Sequence, residues 1–88
     1  MGNQKYDAFL KVAETGSFKQ AAHDLGYTQA GISYLVSTLE RELDVPLFIR
    51  GVAGLQLTRY GEALRQSAFP YLQMHDNIIA DLQAMKNE

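Results

Sequence analysis

Thr28, Gln29, Ala30, Ser33, Tyr34 and Ser37 fall in one ten-residue stretch carrying three aliphatic hydroxyls, one carboxamide and one phenol. None belongs to a nucleophile–base–orienter set, and no paired carboxylates or glycine-rich phosphate loop occur elsewhere, so enzymatic chemistry is not expected. What these groups can do is hydrogen-bond. A glutamine amide donates and accepts at once, and at the first turn of a helix Gln29 fits the N6 and N7 edge of adenine. Short hydroxyls at Thr28, Ser33 and Ser37 suit phosphate oxygens, while Ala30 and Tyr34 suit a thymine methyl or a sugar. Each also has a plainer reading. Gln29 could be a solvated helix-start residue, the hydroxyls could be caps or back-bonds to the helix, and Tyr34 could stack on a neighbouring helix.

Further along, Arg50 offers a guanidinium either to phosphate or to Glu40 or Glu42, the second choice stiffening a hairpin. Lys19 and Arg59 stand near helix starts, where they either flank a nucleic-acid backbone or are simply solvated. His23 and His75 are the two histidines and lie far apart in sequence; with no cysteine, no metal or cofactor site is predicted.

The elements that must position these groups are helices. Residues 18 to 37 read as two short amphipathic segments, the first ending at Gly26 and the second starting at Thr28. Ala21, Leu25, Tyr27, Ile32 and Leu35 sit where two crossing helices touch, Ala22 is small at the close approach, and Gly26 can take the left-handed turn. That is the pattern of a helix-turn-helix, whose second helix enters the DNA major groove. A preceding helix over residues 4 to 14 presents Tyr6, Phe9, Leu10 and Ala13, and stops at Gly16. Ser17 with Gln20 makes a capping-box pattern for the next helix. Thr28 caps a third helix to about Leu43, with Ile32, Leu35, Val36, Leu39 and Leu43 inward and Pro46 just past its end.

Residues 47 to 58 change character: Leu47-Phe48-Ile49, a glycine-containing turn at 51 to 54, then Leu55-Gln56-Leu57 predict a two-stranded hairpin, a wing. Thr58 then caps a long fourth helix over residues 59 to about 86, bent at Pro70. Leu64, Ala68, Tyr71, His75, Ile78, Leu82 and Met85 recur in alternating steps of four and three, flanked by Leu72 and Ile79. Such a heptad seam predicts pairing with the same helix of a second subunit. The fold expected is mainly α, a winged helix-turn-helix of three helices and a two-stranded wing over residues 1–58, followed by a dimerisation helix over residues 59–88.

Bulk properties bound this reading. The chain has 88 residues, enough for one modest core, and no apolar run approaching the ~20 residues that span a bilayer, so no membrane partner is expected. The absence of cysteine suits a reducing cytoplasm. The net charge is −2, and residues 17 to 60 balance Lys19, Arg41, Arg50 and Arg59 against Asp24, Glu40, Glu42 and Asp44. That neutrality counts against nucleic-acid binding, where cations neutralising phosphates supply much of the affinity.

The residues in order resemble a known family. Phe9-x-x-Val12-Ala13-x-x-Gly16-Ser17-Phe18-x-x-Ala21-Ala22-x-x-Leu25, Gln29-x-x-x-Ser33, Leu39-Glu40-x-x-Leu43, Pro46-Leu47-Phe48-x-Arg50 and Leu57-Thr58-x-x-Gly61 are similar, without a gap, to the start of LysR-type transcriptional regulators. The resemblance implies a cytoplasmic bacterial DNA-binding protein that forms a homodimer through the last helix. It also implies a larger effector-binding domain beyond this segment, which makes an excised segment the favoured expectation and a small-molecule effector a partner of that further domain only.

Three positions depart from the pattern. Asp44 replaces the usual glycine, so that turn is expected to be built differently; Tyr34 replaces a common DNA-contacting arginine; and residues 51 to 55 lack the usual basic wing tip. The expected function is sequence-specific binding of double-stranded DNA. The alternative is a winged-helix dimerisation or protein-interaction module with weak or no specific DNA binding, and a short antitoxin is a distant third.

Overall fold

The computed structural model describes residues 3–87 and contains, in chain order, α1 (Gln4–Thr15), α2 (Phe18–Leu25), α3 (Gln29–Leu43), β1 (Phe48–Gly51), β2 (Gly54–Leu57) and α4 (Arg59–Lys86). Local chemistry sets the breaks. Gly16 and Gly26 stop α1 and α2 in the left-handed region, at φ 70° and 76°. Asp44 does the same for α3 at φ 58°, so the turn expected to differ is a left-handed stop like the other two. Aspartate tolerates that region better than most side chains because its short carboxylate bonds locally.

Each following helix begins on a hydroxyl. Ser17 Oγ accepts from Gln20 N at 3.0 Å, Thr28 Oγ1 from Gly31 N at 2.9 Å and Thr58 Oγ1 from Gly61 N at 3.0 Å. The capping box at Ser17 is only half made. The Ser17 N–H, which the Gln20 amide oxygen would accept in a full box, donates instead to Thr15 Oγ1 at 3.3 Å, while the Gln20 NH2 donates to Asp24 Oδ1 at 2.7 Å.

The core forms around two clusters. Ala8, Val12, Ala21, Ala22, Ile32 and Val36 knit α1, α2 and α3, with Leu25 and Leu35 packed at the margin. Phe9, Leu39 and Leu47 form the second, against which Leu57 from the wing and Leu64 from α4 pack. Full burial of a side chain such as Phe9 contributes about 1.5–3 kcal/mol. Tyr27 and Leu43, expected inside, are each 40% exposed. Tyr27 lies in the turn between two caps rather than on either helix, and Leu43 is the last residue of α3, where the chain swings away.

β1 and β2 pair antiparallel from Phe48↔Leu57 to Gly51↔Gly54, leaving Val52 and Ala53 at the tip. The hairpin is tied down at its root: Thr58 N donates to Leu47 O at 3.0 Å and Thr58 Oγ1 to Pro46 O at 2.6 Å. Gly61 then lets α4 start hard against the wing root at Leu47 and Leu57. A Cβ there would collide with the Leu47 carbonyl oxygen and lie 2.7 Å from Leu57 Cδ2.

α4 continues through Pro70 without interruption, so its 28 residues extend about 42 Å. They account for the elongation of the molecule, 55 × 25 × 21 Å. The heptad seam does not have one environment. Ala68 is buried, Leu64 is packed on the second core cluster, and the Tyr71 ring lies 5.7 Å from that of Tyr6. The spacing predicts a second subunit over Leu64 and Ala68; their surface is instead covered within the chain, because α1 and the wing root lie alongside the first turns of α4. His75 is half-buried, whereas Ile78, Leu82 and Met85 are 51%, 58% and 66% exposed.

Candidate nucleic-acid interface

α3 is held by its inner face, where Ile32, Val36 and Leu39 are buried. The opposite face is bare. Ala30, Tyr34, Ser37 and Arg41, spaced by four, three and four, form an exposed stripe along it, and Gln29 is exposed at its start. Spacing of this kind places side chains on one side of a helix. Tyr34 is 65% exposed and stacks on no aromatic ring among the described residues, which removes the packing alternative.

Thr28 serves as a cap, but only as an acceptor. Its hydroxyl proton remains free to be donated outward, so capping and phosphate binding are compatible at this residue. Neither Ser33 nor Ser37 makes a side-chain hydrogen bond among the described residues, so neither is a back-bond; both line a groove of about 210 Å³ between α3 and the wing. Arg50 and Glu40 line the same groove.

Arg50 pairs with neither Glu40 nor Glu42, contrary to one of its two sequence readings. Glu42 is held by Lys5 Nζ at 2.8 Å, joining α3 to α1. Glu40 Oε2 accepts the backbone N–H of Leu47 at 2.7 Å. Arg50 instead rests its guanidinium 5.8 Å from the centre of the Phe18 ring. That ring is part of an aromatic row: Phe48 lies 5.8 Å from Phe18 and 5.4 Å from Phe9. The charge therefore sits on a firm apolar platform beside Ser33 and Ser37, without a carboxylate within 4 Å among the described residues.

This geometry qualifies the neutrality of residues 17 to 60. Lys19, Arg41 and Arg50 carry no carboxylate partner among the described residues, whereas Glu42 is neutralised by Lys5 and Glu40 is turned into the wing root. Asp24 keeps its charge readily, since the bond from the Gln20 amide holds its carboxyl below the ordinary value. Arg41 is a cation on the bare face that sequence reasoning does not single out, although its place at the end of the 30, 34, 37 stripe marks it. Its guanidinium is held by Thr38 Oγ1 at 3.1 Å. Arg59 likewise has no carboxylate partner among the described residues, and its guanidinium lies 5.1 Å over the Tyr60 ring. The wing tip is apolar: Val52 is fully exposed and no charged residue lies between Gly51 and Leu55.

The whole arrangement has relatives. Residues 4–62 match the family model of the bacterial regulatory helix-turn-helix protein, lysR family. The chain is 41% identical over 75 residues to the probable HTH-type transcriptional regulator LrrA of Synechococcus elongatus, covering 85% of this chain and 26% of that protein. It is 41% identical over 68 residues to the HTH-type transcriptional regulator BudR of Raoultella terrigena, covering 77% of this chain and 23% of that one. The chain thus spans about a quarter of the length of these relatives. Among solved structures, the BenM DNA-binding domain in complex with catB site 1 DNA overlays with a TM-score of 0.93 at 27% identity, covering 100% of this chain and 99% of that one. The CbnR DNA-binding domain in complex with DNA gives a TM-score of 0.88 at 29% identity, covering 97% and 98%. No described helix is long and apolar enough to cross a membrane. By its sequence from α1 into α4 and by its fold from end to end, this chain belongs to the lysR family of bacterial regulatory helix-turn-helix proteins.

Proposed function

We propose that this chain reads double-stranded DNA as the sequence-specific segment of a transcriptional regulator, with residues 1–58 on the DNA and residues 59–88 joining two copies. The observation that carries the proposal is the bare stripe of α3, on a fold shared along its whole length with domains solved on DNA. α3 enters the major groove with its N-terminal turn foremost. Gln29 pairs with an adenine edge, and Ala30 and Tyr34 lie against a thymine methyl or sugar. Thr28, Ser33, Ser37 and Arg50 bind the phosphates on either side. Two copies joined along the exposed part of α4, through Ile78, Leu82 and Met85, present two reading helices to two half-sites.

The test is a fluorescence-anisotropy titration of a duplex recovered from a randomised pool, run against a scrambled duplex at several salt concentrations. With about six phosphates neutralised per pair, log K falls with a slope of about −5 against log salt. Gln29→Ala relaxes the preference at one base pair, a loss of about 1–3 kcal/mol of discrimination. Equal affinity for both duplexes at low salt sinks the proposal.

The exposed Tyr34 and the uncharged tip at Val52 favour a second reading, an interaction module without specific DNA binding. Tyr34→Arg separates the two: it strengthens existing binding under the first reading and creates binding under the second.

A further inference from the structure

The connection from α3 to β1 is short, and its backbone amides share one destination. Asp44 N and Val45 N donate to the Glu40 backbone carbonyl, the second at 3.2 Å. Pro46 has no N–H. Leu47 N donates to Glu40 Oε2 at 2.7 Å, and Phe48 N approaches the same oxygen at 3.4 Å. Every amide N–H from Asp44 to Phe48 thus points at Glu40, a residue of the reading helix. Bonds to an ionised acceptor are shorter and stronger than neutral ones, and two donors from adjacent residues fix direction as well as distance. Phe48 is the first residue of β1 and supports the ring of Phe18, on which Arg50 rests two residues later.

We propose that Glu40 is a positioning residue for DNA binding: it locks the wing, and with it the Arg50 guanidinium, at a set place beside the α3 reading face without touching DNA. The inference rests on the DNA-reading function proposed above. A carboxylate lining the groove beside two phosphate-seeking hydroxyls is otherwise unfavourable there, since its charge repels phosphate; the bonds it accepts from backbone amides offset this cost. Leu47 is buried, and the Glu40 carboxylate is the partner its N–H has within the described residues.

The experiment compares the 88-residue chain with Glu40→Ala, Glu40→Gln, Arg50→Ala and the Glu40→Ala/Arg50→Ala double variant. The probe is the pool-selected duplex, titrated by anisotropy across salt concentrations, with circular dichroism and thermal unfolding on each protein. Arg50→Ala makes the salt slope shallower by about 0.9 for each phosphate no longer neutralised. Glu40→Ala reproduces that change although no positive charge has been removed, and the double variant weakens binding no further than either single one. Glu40→Gln, whose amide oxygen still accepts from Leu47 and Phe48, keeps the slope. If Glu40→Ala fails to fold, Glu40→Asp carries the same comparison, because it keeps the charge but withdraws it by one methylene.

A folded Glu40→Ala or Glu40→Asp with the unaltered slope overturns the inference, as does a double variant whose effects add or a Glu40→Gln that behaves like Glu40→Ala. An Arg50→Ala slope equal to that of the unmodified chain overturns it as well. Failure of the unmodified chain to prefer the selected duplex strikes the functional reading instead, and is seen before any variant is made.

Discussion

The first and last thirds of α4 carry apolar residues at the same spacing and meet opposite surroundings. Gly61, Leu64 and Ala68 are pressed against the wing root, the second core cluster and α1; Ile78, Leu82 and Met85 stand in the open. A heptad pattern specifies that a helix has an apolar face. It does not specify whether the cover comes from the same chain. Here the cover is internal for as long as α1 runs beside α4, and it ends near Tyr71, where the Tyr6 ring makes the last aromatic contact.

The largest expected effect is at the start of the covered third. Gly61→Ala drives a methyl group into the Leu47 carbonyl, a backbone atom held by Thr58 N that cannot step aside. A cost of about 3 kcal/mol is expected, read as a lowered midpoint in urea or thermal unfolding. An unchanged midpoint would mean that α4 does not seat on the wing root.

Leu64→Ala and Leu82→Ala then test the contrast directly. The first removes packing against Phe9, Leu39 and Leu47 and should cost about 2 kcal/mol of stability at every protein concentration. The second should alter the folding of an isolated chain by less than ~0.5 kcal/mol, since Leu82 is 58% exposed. It should instead weaken self-association by tenfold or more, measured by sedimentation. Equal and concentration-independent destabilisation by both would erase the distinction between the two thirds.

The smallest effect lies where they meet. Partial desolvation by the neighbouring α4, and then the charge of Asp76 across the groove between α1 and α4, raise the carboxyl of the exposed Asp7 above its ordinary value. A folded-state value above the unfolded one means that the folded chain binds the extra proton. Stability therefore rises as pH falls through the raised value and levels off below the unfolded one. Asp7→Asn should stabilise the chain at neutral pH and remove that increment from a series of unfolding curves between neutral and acid pH. An identical pH profile for the variant would show that Asp7 and Asp76 do not oppose each other.

The helices are legible in the sequence because their ends are chemical. Ser17, Thr28 and Thr58 cap as their types predict, and Gly16 and Gly26 turn left-handed as glycines readily do. Asp44 is not legible in the same way, because residue type gives only a preference, and the surrounding turn holds an aspartate in the conformation a glycine would take. The exposed residues of α3 as far as Ser37 are legible as candidates from their chemistry and their place after the Gly26 turn. Arg41 escapes sequence reasoning because only its helical spacing from Ala30, Tyr34 and Ser37 marks it, and that mark becomes visible once the exposed face of α3 is known. Glu40 stands in the sequence as a possible partner for Arg50, and its destination at Leu47 and Phe48 cannot be read there, since the choice among donors depends on where the strand returns.

Local sequence dictates the parts of this protein: four helices, three of them begun on a hydroxyl cap and the last with an apolar face, a hairpin wing, and a run of side chains suited to a base edge and its phosphates. These follow from backbone preference and periodicity, which act over a few residues. The partners are a matter of the folded chain. Folding packs Leu64 and Ala68 against the chain's own core and leaves Leu82 and Met85 bare, gives Glu42 to Lys5 and Glu40 to the wing root, and leaves Arg50 without a carboxylate partner among the described residues. Such choices depend on which surfaces meet across tens of residues, and pairing is decided by distance in space.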